Sequence, residues 1–537
     1  MPINSLHQIQ QSLNWPQQLV AVEKRNVFVV YFLVLLATSL DNLNSTAALT
    51  MTANIEKEFH TDSSTASWVL SGYALTLGSF IMISGKIADI IGPHNLFLIG
   101  LTSVWICALI CACIPHSSII TLIVFRAIQG IGASSLVPST IALAANYFTG
   151  RYAKYLPAAI IGFIISLTGT LGFGIILGGA FSETLIGYRS FFFFVFAFGF
   201  FCDLVLLFLI IPIKKTTEHA NLKMKNIDFI GSALVIVGIL LIILGLTEGG
   251  ENWRSPKAYM PLIVGFFTFV CALVFEILYI QRFKTKHRHL DKASDWRLQM
   301  ELLFPPDIIR IPNFLPFLIV CGLYYATFTM MLAVGIEYYS FIEEASPIIS
   351  AIKVFPLTVG LVFGAIIYRA SYYEKVGSRN MFILSAAFTL GSCVWFSRTN
   401  YEVLNSYWKF GIGSLFLYGY GMNIFFNIYI GAVVANTPLH LQGVVNGIYQ
   451  TCSQVLLSIG NALVPSILGN LQRATNERMK HELHAKFQSV FYVIMGFHAT
   501  VFFIMVLFVR NLKKKEEPES EMIDDSVKNE DVCVSTT

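Results

Sequence analysis

Leu122-Ile123-Val124-Phe125-Arg126-Ala127-Ile128-Gln129-Gly130-Ile131-Gly132-Ala133-Ser134 puts one arginine and one glutamine inside an apolar run and follows them with small residues. An arginine at the centre of a membrane helix costs a few kcal/mol by insertion scales unless it is paired or hydrated. Small residues one turn further on let a neighbouring backbone approach closely. The stretch therefore reads as a membrane span that carries a buried charge and packs tightly against another helix.

The rest of the chain agrees. Of 537 residues, 55% are hydrophobic, 14% aromatic and only 13% charged, where a soluble domain carries about 25% charged residues. So little polar material cannot cover a soluble fold of this size. A net charge of +4 excludes nucleic-acid binding and bulk disorder. What remains is an all-α polytopic membrane protein. About 280 residues in the bilayer allow roughly fourteen spans of ~20 residues. Apolar runs fall at 27–49, 67–85, 96–114, 119–147, 155–180, 190–213, 227–247, 260–281, 314–340, 349–368, 381–397, 407–435, 443–468 and 487–509.

An even number of spans puts both termini on one side. With the N-terminus inside, inner segments hold roughly 24 Lys/Arg and outer ones roughly 10, the bias of cytoplasmic loops. Arg473, Arg478, Lys480 and Lys486 fit this poorly and are outvoted. Residues 1–26 are polar with no short apolar h-region, so no cleaved signal is expected and the first run stays as a span. After Arg510 the tail runs from Lys513-Lys514-Lys515 into acids and reads as a disordered cytosolic segment, 510–537, in which Ser520 and Ser526 could be kinase targets.

Eight of the nine cysteines lie in apolar runs and read as small buried hydrophobes; Cys533 is in the tail. Cys111 and Cys113 lack metal-ligand spacing. There is no Walker A sequence, nucleophile elbow or His/Glu metalloenzyme spacing, so the chain is expected to be no enzyme, with neither cofactor nor metal. Transport would draw on an ion gradient or on the solute's own.

A second stretch, Gly85-Lys86-Ile87-Ala88-Asp89-Ile90-Ile91-Gly92, joins spans two and three in a tight turn. It resembles the loop signature G-x-L-a-D-R-x-G-R-K of the major facilitator superfamily, and the Arg126 stretch resembles that family's fourth-span R-x-x-Q-G-x-G-a. Fourteen spans resemble its fungal and bacterial drug:proton antiporter group, as do Asp228-Phe229-Ile230-Gly231, Glu248-Gly249-Gly250 with Trp253, Ser255 and Pro256, and Gln442-Gly443 with Asn446-Gly447. The likeness spans roughly residues 27–510. In detail it is similar to yeast aminotriazole-resistance, borate-efflux and ammonium-facilitator transporters. It implies two six-helix bundles, 27–213 and 314–509, with a helix pair inserted at 214–313. Glu374, Lys375, Gly377 and Arg379 echo Asp89 to Gly92, as two related halves would.

The departures are specific. Ile90 stands where the family has Arg, and Pro93-His94-Asn95 where it has a basic cluster, so the loop's gating charges are expected to be weaker. The fifth-span signature G-P-x-x-G-G reads Gly174-Ile175-Ile176-Leu177-Gly178-Gly179. Its glycines persist and its proline is lost, which leaves facilitated movement open beside antiport.

Few charges remain inside spans. Asp41 resembles the group's first-span acid; in low dielectric a carboxyl can bind and release a proton near neutrality, or it can anchor a polar cluster. Arg126 could hold an oxyanion, tune a carboxylate or bridge spans. Asp203, midway along span six, is either a second proton site or a neutral buried acid. Gly85, Asp89, Gly92, Gln129, Gly130, Gly174, Gly178, Gly179, Glu374, Lys375, Gly377 and Arg379 are read as conformational residues. Asn423 and Asn427, at i and i+4, could meet a polar solute in the cavity or bond between helices. Glu337 and Lys353 are expected to snorkel to the interface, and His498 to be a bonded core residue.

The favoured reading is a proton-coupled exporter of a small solute or toxic compound, working by alternating access. Its expected partners are substrate, protons and the lipid bilayer; it is expected to be a monomer in a fungal plasma membrane. A facilitator of ammonium or borate, and a nutrient sensor on a transporter scaffold, are the alternatives.

Overall fold

The computed structural model describes residues 25–61, 63–115, 118–213, 228–287, 296–300, 306–368, 376–437, 442–469 and 477–509. The expectations for the terminal segments, for Glu374 and Lys375, and for Cys533 lie outside them.

Long helices fill these residues. The first bundle holds α1 (Val27–Phe59), α2 (Ser63–Ile91), α3 (Pro93–Cys113), α4 (Ile119–Ala133), α5 (Leu136–Tyr147), α6 (Leu156–Ser182) and α7 (Arg189–Leu209). The inserted pair is α8 (Phe229–Glu251) and α9 (Pro256–Val274), the latter running on through a π-helical segment, Phe275–Gln281. The second bundle holds α10 (Phe314–Phe341), α11 (Pro347–Val354), α12 (Pro356–Ile367), α13 (Ser378–Phe396), α14 (Ile412–Asn436), α15 (Gln442–Leu468) and α16 (Glu477–Leu507).

Local chemistry sets several boundaries. The Asn26 side chain accepts from the Phe28 N–H at 2.9 Å to start α1, and Asp228 accepts from the Gly231 N–H at 2.7 Å to start α8. Ser255 caps α9, with Pro256 in its first turn. The fourth and tenth runs, read as single spans, are each broken in two. In the fourth the break is at Ser134 and Ser135, whose hydroxyls bond Ile131 and Gly132 carbonyls. In the tenth it is at Phe355, before Pro356, which has no N–H to continue the ladder.

Twelve helical segments among the described residues are long and apolar enough to cross a membrane. Helices α13 and α14 occupy the eleventh and twelfth expected runs but fall short of that measure.

Two separate cores form. One is built wholly from α1 to α7 and the segments that join them, around Val34, Tyr73, Phe97, Leu101, Phe191 and Phe192. The other combines the second bundle with Val235, Ile239, Ile243 and Ala272 of the inserted pair and with Met82 and Ile175, which the first bundle contributes from α2 and α6. Close glycine contacts hold the layers together. A Cβ on Gly174 would lie 2.1 Å from Thr46 Oγ1, and one on Gly178 would lie 2.4 Å from the Ala47 carbonyl oxygen. Both glycines thus let α6 lie on α1. Gly179 instead meets Ile348 of α11, across the gap between bundles.

Most cysteines are buried as expected, but Cys113 and Cys271 are exposed. Apolar runs do not distinguish core from lipid-facing positions, because both solvents are apolar.

Candidate functional site

Asp41 sits midway along α1 and is 5% exposed. One carboxylate oxygen accepts the Tyr73 hydroxyl at 2.6 Å. The Tyr73 ring lies under the guanidinium of Arg126, 4.4 Å from its centroid. Arg126 is completely buried and makes no ion pair with Asp41. Its Nε donates to the Val69 carbonyl at 3.0 Å, Nη1 to Gln129 Oε1 at 2.7 Å and Asn44 Oδ1 at 3.3 Å, and Nη2 to the Asn44 carbonyl at 3.1 Å. Gln129 in turn donates to the Val104 carbonyl of α3 at 2.9 Å.

Neutral acceptors on α1, α2 and α4 therefore satisfy the cation, and the aromatic face adds a favourable contact. Asp41 is left with its second oxygen free of any hydrogen bond. A carboxyl held this way can take a proton or a donor group without first breaking a salt bridge.

Small residues let this cluster close. A Cβ on Gly130 would lie 2.3 Å from Thr76 Oγ1 and from the Tyr73 carbonyl oxygen, so α4 touches α2 there. In the second bundle, Tyr325 of α10 packs edge-on against Phe426 of α14, 5.4 Å between ring centroids. Leu49 of α1 and Leu75 of α2 pack against the second core, so the helices that carry the cluster meet the second bundle. Sequence reasoning singled out Asp41, Arg126 and Gln129 by their polarity within spans. Tyr73 went unmarked, because a neutral ring within an apolar run carries no such signal.

Asp203 is not part of this group. On α7, it takes Thr102 Oγ1 at 2.6 Å and Trp105 Nε1 at 2.8 Å, both from α3. Asn423 and Asn427 bond each other, Nδ2 of Asn427 reaching Asn423 Oδ1 at 2.5 Å. Asn423 is buried where α14 meets Gly364 of α12. Lys353 pairs with Glu343. Glu337 differs from its neighbour: one of its carboxylate oxygens is shut off from solvent without a partner, because α10 is packed between helices at that depth. His498 bonds Tyr418 at 3.2 Å in the core.

In the α2–α3 turn, Gly92 has φ +93°, and a Cβ there would lie 2.8 Å from the His94 ring. Gly377 has φ +84° at the start of α13. The two turns have nearly the same backbone, ψ being 135° and 147°, so the sequence echo is an echo of conformation. Gly85 meets nothing within 4 Å. Arg379 donates to the Val506 carbonyl. Lys86, buried at the end of α2, acts on Asp228, whose carboxyl burial raises in pKa against the opposing pull of the Gly231 N–H and Lys86. The poorly fitting basic loop is partly neutralised: Lys480 meets Glu344 and Arg478 meets Glu482, both at 3.3 Å.

Known proteins place this architecture. The human organic anion transporter MFSD10 (TETRAN) has the same fold, with a TM-score of 0.58 over 90% of this chain and all of that one, at 14% identity. The aminotriazole resistance protein of Saccharomyces cerevisiae is 21% identical over 80% of this chain and 75% of its own length. The efflux pump terJ of Aspergillus terreus is 24% identical over 84% and 83%. The low affinity ammonium transporter of Saccharomyces cerevisiae is 30% identical, over 39% of this chain and 41% of its own. The sequence model of the Major Facilitator Superfamily matches residues 27–242 and 227–461. With its twelve or more apolar helices, the chain belongs to the Major Facilitator Superfamily and is an integral, multi-pass secondary transporter.

Proposed function

We propose that this transporter exports a small toxic organic compound in exchange for protons, with Asp41 as the proton-binding group. The observation that carries this reading is the arrangement around Asp41. Its carboxyl is buried, bonded only by Tyr73, and spared a salt bridge because Arg126 is satisfied by Asn44, Gln129 and Val69. Such a carboxyl can exchange a proton for a substrate donor as the bundles rock, provided each ligand favours a different state.

The fourteen-span topology with both chain ends cytosolic, a plasma-membrane location, a monomeric state and the absence of catalysis belong to the same proposal. So do conformational roles for the glycines of α2, α4 and α6 and for the second-half turn. Export is supported by the likeness to the aminotriazole resistance protein and to efflux pump terJ. Facilitated passage of ammonium is the second reading, favoured by the partial likeness to the ammonium transporter.

The two separate in one assay. Cells overproducing the chain are loaded with aminotriazole, and its exit is followed with and without a protonophore. Antiport predicts that the protonophore abolishes exit against a gradient. Exit that runs only downhill and ignores the protonophore supports the facilitator.

A further inference from the structure

The inserted pair touches both bundles at one end of the molecule. Glu248, in the last turn of α8, accepts the Trp68 indole N–H of α2 at 3.2 Å. Trp253, two residues past the end of α8, donates its indole N–H to Ser466 Oγ of α15 at 2.9 Å. Ser466 donates its own proton to the Ala462 carbonyl at 2.7 Å, which leaves its oxygen to accept. The Trp253 ring lies over Gly249, where a Cβ would come within 2.7 Å of it, so the indole is held against the helix end. Two side chains of one hairpin, Glu248 and Trp253, thus grip α2 of the first bundle and α15 of the second.

Deeper in the bilayer the same three helices meet at Gly78, whose Cβ would lie 2.6 Å from Gln454 and 3.9 Å from Ile243. That contact is a natural pivot. Rocking the bundles about it must separate the ends of α2 and α15 that the hairpin holds together. At the opposite end, Lys86 of the first bundle acts on Asp228 at the start of α8.

We propose that Trp68–Glu248 and Trp253–Ser466 form a latch between bundles, and that these four side chains position the bundles in the state closed at that end. With the topology proposed above, that end is the extracellular one. The indole–hydroxyl bond is the tie that releases. A bond between neutral groups is roughly half as strong as one to a carboxylate, and the first bundle holds the pair through the carboxylate of Glu248, which accepts the Trp68 indole N–H. The glutamate and tryptophan bordering α8 thereby acquire a task separate from substrate or proton binding.

The test reads conformation and needs no substrate. Leu49, on α1, packs against the second core. A Leu49→Cys reporter, made with Cys113→Ala, Cys271→Ala, Cys452→Ala and Cys533→Ala, is labelled by a membrane-impermeant maleimide. The reagent is applied separately to intact cells and to inside-out vesicles. Trp253→Phe keeps the ring and loses the N–H; Ser466→Ala removes the acceptor. Each is expected to raise the labelling rate about threefold, the worth of an interhelical hydrogen bond in a membrane. The double variant should match either single one, because both remove one bond. Acceleration in intact cells supports an extracellular latch. Acceleration confined to vesicles keeps the latch but reverses the topology. Rates equal to the parent's on both sides, or single effects that simply multiply, would overturn it.

Discussion

Tyr73 stands between Asp41 and Arg126, bonding the first through its hydroxyl and facing the second with its ring. A direct ion pair would fix the carboxylate in its charged form; the bridge leaves it able to change. Removing the hydroxyl tests this. Tyr73→Phe preserves the ring beneath Arg126 but deletes a bond to a carboxylate, a class worth about 1.5–3 kcal/mol. We expect transport to fall about tenfold or more, while the purified protein still elutes as a single folded species and melts a few degrees below the parent. Unchanged transport would remove Tyr73 from the account. Arg126 and Asp41 were legible in the sequence because charge within an apolar run is rare. Asp203 gave the same signal, yet it is held by Thr102 and Trp105 apart from that cluster. Charge marks a residue as exceptional but does not say which neighbour it faces, and a neutral tyrosine is not marked at all.

Glycines in this chain are not equivalent, and the helices show why. Gly92 needs its positive φ to turn α2 into α3, and its Cβ position is filled by His94. Gly85 lies in open space at the end of α2 with ordinary helical backbone. Gly92→Ala is therefore expected to lower thermal stability in detergent by roughly 1 kcal/mol or more, and Gly85→Ala to leave it unchanged or slightly raised, since alanine favours helix. Equal effects at the two sites would contradict this reading of the turn. The family signature contains both glycines, so motif matching alone could not rank them. Spacing did expose the paired turns at Gly92 and Gly377. The breaks at Ser134 and Phe355 were hidden, because the hydropathy of the fourth and tenth runs continues across them.

At the scale of the molecule, the two cores explain how rigid bundles can move, and the hairpin of α8 and α9 joins them at one end. That the chain is a set of long apolar helices crossing a membrane could be read from composition. The attachments of the inserted pair could not, because Trp68, Glu248, Trp253 and Ser466 are far apart in sequence and become partners only when three helices meet. The central claim is that Asp41 exchanges a proton for substrate. It is tested most directly with purified protein in liposomes, where aminotriazole movement is driven by an imposed pH gradient at zero membrane potential. The parent should accumulate aminotriazole in response to the gradient, and Asp41→Asn should lose that response by at least tenfold while still exchanging aminotriazole between equal pools. Gradient-driven accumulation that survives Asp41→Asn would contradict the account.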